Sequence, residues 1–193
     1  MTLAILHTES SCGWGGQELR IIDESVGMQK RGHQVTIAAP AESRIFAEAQ
    51  GRAVHAIPLG ITRKSFGGFR AMRRLLGTRH FDVVNTHSST DSWLAALAAA
   101  SLAAPPAIVR TRHISAPLRR GIATRWLYGK AARHLVTTGE ALRQNAINAL
   151  GLDSAKVSSV PTGVNLARFS PGDRLERSEE HTPELQRRGL ISY

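Results

Sequence analysis

The sequence predicts a doubly wound α/β domain on a mostly parallel sheet, and three observations carry that prediction. Short apolar runs alternate with longer segments of helical periodicity about six times along the chain. Runs such as Val83–Thr86 (VVNT) and Ala107–Thr111 (AIVRT) have few alternating polar positions, so they read as strands buried on both faces. Glycine or proline punctuates nearly every boundary, which keeps the elements short and separate.

Taken in order, Leu3–His7 reads as the first strand and Gln17–Arg31 as a helix, with Leu19, Ile22, Val26 and Met28 near a 3.6-residue period and Gly32 as its stop. Val35–Ala39 is a second strand ending at Pro40, Ala41–Gln50 a short helix stopped by Gly51, and Val54–Leu59 a third strand. Phe66–Leu76 is a basic helix stopped by Gly77, and Val83–Thr86 a fourth strand. Asp91–Leu102 is an Ala-rich helix with Thr90 or Asp91 as its N-cap. Ile108–Thr111, Leu135–Thr138 and Lys156–Val160 complete the strands. Between them lie helices over Ile122–Ala132 and Glu140–Leu150, the latter capped by Thr138 and stopped by Gly151.

A chain of 193 residues has room for one such domain and not for two. Its 42% hydrophobic and 21% charged residues are those of a globular protein. A single cysteine, Cys12, excludes an internal disulfide and suits a reducing compartment. No basic n-region precedes Leu3–Leu6, and the longest mostly apolar run, Trp93–Ile108, is interrupted by Pro105 and Pro106. It falls short of the roughly 20 residues of a membrane span, so a cytoplasmic protein is expected, peripheral at most on the inner face of the cytoplasmic membrane. The net charge of +10 calls for an anionic partner.

Residues 174–193 are expected to lie outside the fold, leaving 1–173 as the domain. Arg177–Gln186 (RSEEHTPELQ) resembles the translation of a sequencing-library adapter and shows no periodicity. Residues 174–193 hold four Arg and four Glu, so the positive excess belongs to the rest of the chain.

Parallel sheets bind ligands beyond the carboxyl ends of their strands, so the residues there are the informative ones. After the first strand, Gly13, Gly15 and Gly16 run into a helix start. Such backbone suits a phosphate, although a loop that merely needs glycine turns would look the same. The G-x-G-G spacing, and Ala38-Ala39-Pro40 in place of an acidic residue after the second strand, disfavour NAD. After the fourth strand come His87, Ser88 and Ser89, a set that suits a polyol. After the fifth comes His113, with Thr111 on its face of the strand and Arg110 and Arg112 on the other. Arg119 and Arg120 follow. Histidine can bond a substrate hydroxyl or a developing charge near neutral pH, and arginine can grip phosphate through two parallel bonds. A solvated basic loop is the plainer alternative for this stretch.

In the basic helix, Arg70, Arg73 and Arg74 share one face while Phe66, Phe69, Met72, Leu75 and Leu76 share another. The arginines would face anionic lipid, worth about 1 kcal/mol each near the surface, and the phenylalanines the core; an ordinary surface helix packing its apolar face on the sheet would show the same pattern.

Four segments in order, SCGWGGQE, RGHQVTIAAP, FDVVNTHSSTDSW and VPTGVNLARFSP, resemble the N-terminal half of family 4 glycosyltransferases of the GT-B fold. The last is similar to that family's P-[NT]-G-V-[DN]-x-x-x-F-x-P linker into a second domain. The resemblance covers residues 2–173. It implies a Rossmann-like, acceptor-side domain of a retaining transferase that moves a sugar from a nucleotide-sugar to an acceptor. Gly15 and Gly16 match the loop that approaches the donor diphosphate, and His113 matches a cleft histidine placed to contact the transferred sugar, the catalytic candidate here. His87 and Ser88 match positions near the acceptor; Gln17, Ser89, Arg110, Arg112 and Arg119 are grouped with them on chemistry alone. The family's paired glutamates and most of its nucleotide contacts belong to the second domain, so this chain alone is expected to have no transferase activity.

No D-x-D motif is present, and no metal or other cofactor is expected. The expected acceptor is a phosphorylated or lipid-linked glycan of envelope polysaccharide or lipopolysaccharide synthesis. A non-catalytic α/β module for a phosphorylated ligand is the alternative. Nucleic acid is not expected as a partner: the three Trp, two Tyr and five Phe form no stacking platform among basic residues.

Overall fold

The computed structural model describes residues 1–114 and 116–163. Seven strands form one parallel sheet: β1 (Ala4–Thr8), β2 (Gln34–Ala39), β3 (His55–Pro58), β4 (Val83–Thr86), β5 (Ala107–Arg112), β6 (His134–Thr137) and β7 (Val157–Ser159). Their order across the sheet is β3-β2-β1-β4-β5-β6-β7, every pair parallel. The helices are α1 (Gly16–Lys30), α2 (Arg44–Gly51), α3 (Phe66–Thr78), α4 (Ser89–Ala100), α5 (Ile122–Trp126) and α6 (Glu140–Leu150). The order reverses between β1 and β4, and that switch point opens a crevice at the carboxyl edge.

Strand alternation explains the two covered faces. Ile37 and Ala39 of β2 pack with Ile21 and Ile22 of α1 and Ile45 and Ala49 of α2. Ala38, between them, points the other way and packs with Leu6, Val84, Met72 and Leu75 of α3, and Leu94 and Ala95 of α4. The contact of α3 with its surroundings depends on Gly68, where a Cβ would lie 3.2 Å from the Gly60 carbonyl and 3.2 Å from Leu94 Cδ1. A third cluster joins Ile108 and Leu135 of the sheet to Leu127, Tyr128, Ala146 and Leu150.

Several expected boundaries shift for identifiable reasons. Gly77 does not stop α3, which runs on to Thr78. The helix α4 begins at Ser89 with Ser88 as N-cap, so Thr90 and Asp91 lie in its first turn instead of capping it. Gly139, not Thr138, is the N-cap of α6. The helix expected over Ile122–Ala132 is a short α5 that widens into a π turn over Leu127–Ala131. Lys156 closes a 3₁₀ turn, so β7 starts one residue later. Gly151 does stop α6, with φ +63°, the left-handed conformation that glycine adopts without strain. The segment 174–193 falls outside the described residues.

Candidate functional site at the switch point

A cavity of about 680 Å³ opens at the carboxyl edge of the sheet. Gln17, His87, Ser88, Ser89, Arg110, Arg112, His113 and Arg119 all line it, so eight of the expected site residues converge. Lys64, Trp93 and Tyr128, not expected there from the sequence, line it too. Gly15 and Gly16 stand on the same edge, in the loop from β1 into α1, but do not line the cavity.

Register assigns these residues to faces. Asn85 pairs with His7 on one side and Val109 on the other, so His7, Asn85 and Thr111 share the face that α1 covers. Thr111 Oγ1 donates to Asn85 Oδ1 at 2.9 Å across that face. Just past the strand ends, His87 joins His7 and His113 in a row. His7 Nδ1 lies 2.9 Å from His87 Nε2, and His87 Nδ1 lies 3.0 Å from His113 Nε2. The rings of His7 and His87 are stacked 5.1 Å apart, and those of His87 and His113 are tilted 5.2 Å apart. His7 and His87 are buried and His113 is half-buried. Burial lowers the pKa of His7 to about 4 and that of His87 well below 6.5. Burial, then the positive charges of Arg20 and Arg110, lowers that of His113 to about 4. At neutral pH all three rings are therefore uncharged.

Arg110 and Arg112 lie on the opposite face of β5 and are buried, which excludes the solvated-loop alternative for both. Arg110 Nη1 donates to the Ser88 carbonyl at 2.7 Å, and its guanidinium sits 4.9 Å from the centre of the Tyr128 ring. Arg112 donates to the Tyr128 hydroxyl at 3.4 Å and to the Ala116 carbonyl. Arg119 and Lys64 are exposed, with the Lys64 ammonium 5.7 Å from the Trp93 ring centre. The cavity thus combines fixed cations, neutral imidazoles, hydroxyls and two aromatic faces.

Two buried carboxyl groups lie beneath it. Glu9, the residue after β1, accepts from Ser11 N at 2.7 Å, from Ser88 Oγ and from Gln17 Nε2. Burial raises its pKa despite those donors. Asp91 accepts from Thr8 Oγ1 at 2.8 Å and from the His87 N–H at 2.9 Å. Burial, then the charge of Glu9, raises its pKa to about 7. Asp91 thereby ties β1 to the turn that carries His87, a structural task larger than the cap expected of it. His7, Glu9, Arg20 and Asp91 escaped sequence reasoning as site residues. Only Glu9 had a usable signal, its place directly after a strand.

In the glycine loop, a Cβ at Gly15 would come no closer than 3.7 Å to Glu18 Oε2, and one at Gly16 would meet nothing within 4 Å. Gly15 is extended, with φ −169°. Neither glycine is required by crowding within the protein or by backbone strain. On α3, Arg70, Arg73 and Arg74 are exposed, but the expected packing of both phenylalanines inward is wrong for one of them. Phe66 is 72% exposed, lying beneath the Arg70 guanidinium at 5.9 Å, and only Phe69 packs on the core. Arg73 Nε donates to Ser101 Oγ at 3.0 Å. Among the described residues no helix is long and apolar enough to cross a membrane.

Comparison with known proteins agrees with this architecture. The chain is 28% identical over 129 residues to the UDP-Gal:alpha-D-GlcNAc-diphosphoundecaprenol alpha-1,3-galactosyltransferase of Escherichia coli, covering 63% of this chain and 33% of that protein. Its fold is similar to that of a glycosyltransferase from Rickettsia africae, with TM-score 0.75, 16% identity, and coverage of 99% of this chain and 50% of the other. It is similar also to Anabaena Alr3699/HepE, solved in complex with UDP-glucose, with TM-score 0.71, 16% identity, and coverage of 97% and 50%. The chain therefore spans a third to a half of the length of these relatives. The sequence profile of Glycosyltransferase Family 4 matches residues 14–168. With its switch-point cavity, its parallel sheet and that match over most of its length, the chain belongs to Glycosyltransferase Family 4.

Proposed function

We propose that this chain forms the acceptor-side wall of a retaining glycosyltransferase that moves a hexose from a nucleotide-sugar, UDP-linked by analogy, to a diphosphate-linked glycan on a lipid carrier. The observation that supports this most is the pairing, in one cavity, of neutral His87 and His113 with buried Arg110 and Arg112. Imidazoles and serine hydroxyls suit sugar hydroxyls. Arginines and Lys64 suit phosphate, because fixed cations in a partly dry site attract an anion more strongly than they would in water. Trp93 and Tyr128 offer flat apolar faces to a sugar ring.

In this reading His113 contacts the transferred sugar, and Gln17, His87, Ser88 and Ser89 hold the acceptor's hydroxyls. Arg110, Arg112 and Arg119 hold the acceptor's phosphate. Gly15 and Gly16 leave the N-terminus of α1 open for the donor diphosphate, whose charge that helix end favours. The exposed arginines of α3 would rest the protein on the inner face of the cytoplasmic membrane, where a lipid-linked acceptor resides. The alpha-1,3 linkage in the relative's name supports retention, because an alpha product formed from an alpha-linked donor keeps its configuration.

The test is calorimetric titration of the 193-residue protein with N-acetylglucosamine 1-diphosphate bearing a short polyprenyl chain. Saturable binding is expected, weakened at least tenfold when the diphosphate is omitted and at least tenfold by Arg119→Ala. Equal affinity for the sugar with and without its diphosphate would sink the phosphate role. For transfer itself, the anomeric proton of the product of a longer protein carrying both halves, read by NMR, decides between retention and inversion. The 193-residue chain is the control expected to turn over no sugar nucleotide.

A further inference from the structure

His7 lies at the end of the histidine row farthest from the cavity and touches no ligand space. It is buried on all sides, and its Nε2 is among the buried side-chain atoms with no hydrogen-bond partner. A buried imidazole with an unmatched nitrogen is costly unless it serves its neighbours. Among the described residues its side chain bonds to His87, whose other ring nitrogen meets His113.

Proton counting restricts what this row can do. Three neutral imidazoles share three ring protons among six nitrogens. Each of the two N···N contacts holds one proton, so the third must sit at one end. A neutral His87 cannot donate to both neighbours or accept from both. Only two arrangements remain. In one, every ring is protonated on Nε2, His113 shows a bare Nδ1, and His7 buries an N–H. In the other, every ring is protonated on Nδ1, His113 presents an N–H, and His7 buries a bare nitrogen. The orphaned atom at His7 is present either way, so it does not choose between them.

The surrounding charges choose. Arg110 lines the cavity that His87 and His113 also line, whereas His7 lies outside it, and the charges of Arg110 and Arg20 reach both His87 and His113. Arg112, Arg119 and Lys64 add further positive charge around the cavity. An imidazole dipole is negative at its bare nitrogen and positive at its N–H. With all protons on Nε2, the bare-nitrogen ends lie on the side of the row where the cavity cations stand, and the N–H ends lie on the side away from them. The other arrangement turns the N–H ends toward those cations.

We infer that His7 and His87 act as a relay that fixes the tautomer of His113, so that His113 presents a bare Nδ1 to the cavity as a hydrogen-bond acceptor for a sugar hydroxyl. His7 is then a positioning residue acting through His87. The site divides its work: His113 accepts from a hydroxyl, while the arginines donate to anionic oxygens. This inference deepens the proposed function and takes the hydroxyl-bearing ligand from it, but the relay itself is defined without any sugar.

The test is NMR of the 193-residue protein labelled with ¹⁵N-histidine, at neutral pH. Expected are three neutral rings in the Nε2–H form and scalar couplings across the His7–His87 and His87–His113 contacts. His7→Phe, which keeps a ring in place, should abolish the first coupling and shift part of the His113 population to Nδ1–H. His33 and His55, outside the row, serve as reference signals that the substitution should leave unchanged. The wild-type spectrum alone decides even if the variant fails to fold. An Nδ1–H tautomer at His113, missing couplings, or a His113 unchanged by His7→Phe would overturn the inference. Intact couplings in a protein that binds no diphosphate-linked sugar would instead overturn the proposed function and leave the relay standing.

Discussion

The two ends of the same strands treat an aspartate in opposite ways. At the amino edge, Asp82 Oδ2 accepts from the Ala4 N–H at 2.8 Å, and that bond holds its pKa below the usual carboxylate value. At the carboxyl edge, Asp91 Oδ2 accepts from the His87 N–H at 2.9 Å, yet its pKa rises to about 7. The hydrogen bonds match, so they do not explain the difference. Asp82 keeps 31% of its side chain in solvent, whereas Asp91 has none. Burial, helped by the neighbouring Glu9 carboxyl, overrides the bonds that favour the charged form. The same contrast covers the whole edge. Among the described residues, the buried side-chain atoms without a partner are His7 Nε2, Asp91 Oδ1 and Arg110 Nε, all at the carboxyl end. One edge is built for stability, and the other holds polar groups under strain where a ligand would enter.

The sharpest way to break this comparison is to remove a strained group. Arg110→Ala should cost about 3 kcal/mol of stability, because it strips the Ser88 carbonyl of its buried donor and opens a void beside Tyr128. Urea unfolding measures it. A loss under 1 kcal/mol would mean that the bond to the Ser88 carbonyl and the packing on Tyr128 hardly outweigh the cost of burying the guanidinium.

Acidification gives the next effect. His7, His87 and His113 titrate below 6.5 when folded, so the unfolded chain takes up their protons first and stability falls as the pH drops below about 6.5. Glu9 and Asp91 act in the opposite sense, since the folded chain takes up their protons first, from about pH 7 for Asp91. The histidines' loss between pH 7 and pH 5 is therefore read by difference between two proteins. In His7→Phe that loss should shrink by about 2 kcal/mol, one histidine's share over 1.5 pH units. Thermal unfolding of both proteins at the two pH values reads the difference, and parallel pH dependences would show that His7 titrates normally.

Asp91 itself sharpens the comparison further. Asp91→Asn keeps an acceptor for Thr8 and His87 and removes a carboxyl already half protonated at neutral pH, so about 1 kcal/mol or less should be lost. Asp91→Ala loses both bonds and should cost about 2 kcal/mol. Equal losses would show that the charge, and not the acceptor, carries the contact.

How much of this was legible in the sequence follows from the range of the interactions. The strands and their parallel direction follow local patterns, and so does the rule that His87, His113 and Arg110 stand at strand ends, whereas the order across the sheet does not. His7 did not register as a site residue, because it sits in an ordinary strand and its partner is 80 residues away. Asp91 was taken for a cap because Asp near a helix start usually is one, and its tie to Thr8 spans 83 residues. Helical periodicity predicts Phe66 inward because it counts apolar residues without regard to their place along the helix, whereas Phe66 is the first residue of α3 and is exposed.

The smallest effect on stability carries the largest one on function. Gly16 is the first residue of α1, and a methyl there would meet nothing. Alanine restricts the unfolded chain more than glycine does and is the better helix former, so Gly16→Ala should be neutral or more stable by a few tenths of a kcal/mol. If the loop serves only the fold, nothing else should change. If the missing side chain leaves room for a donor diphosphate at the helix end, the same methyl should stand where a phosphate oxygen must come. In a longer protein carrying both halves, transfer should then fall at least tenfold while the melting temperature holds or rises. A Gly16→Ala enzyme with full activity would return the glycine loop to a turn and move the donor elsewhere on this edge.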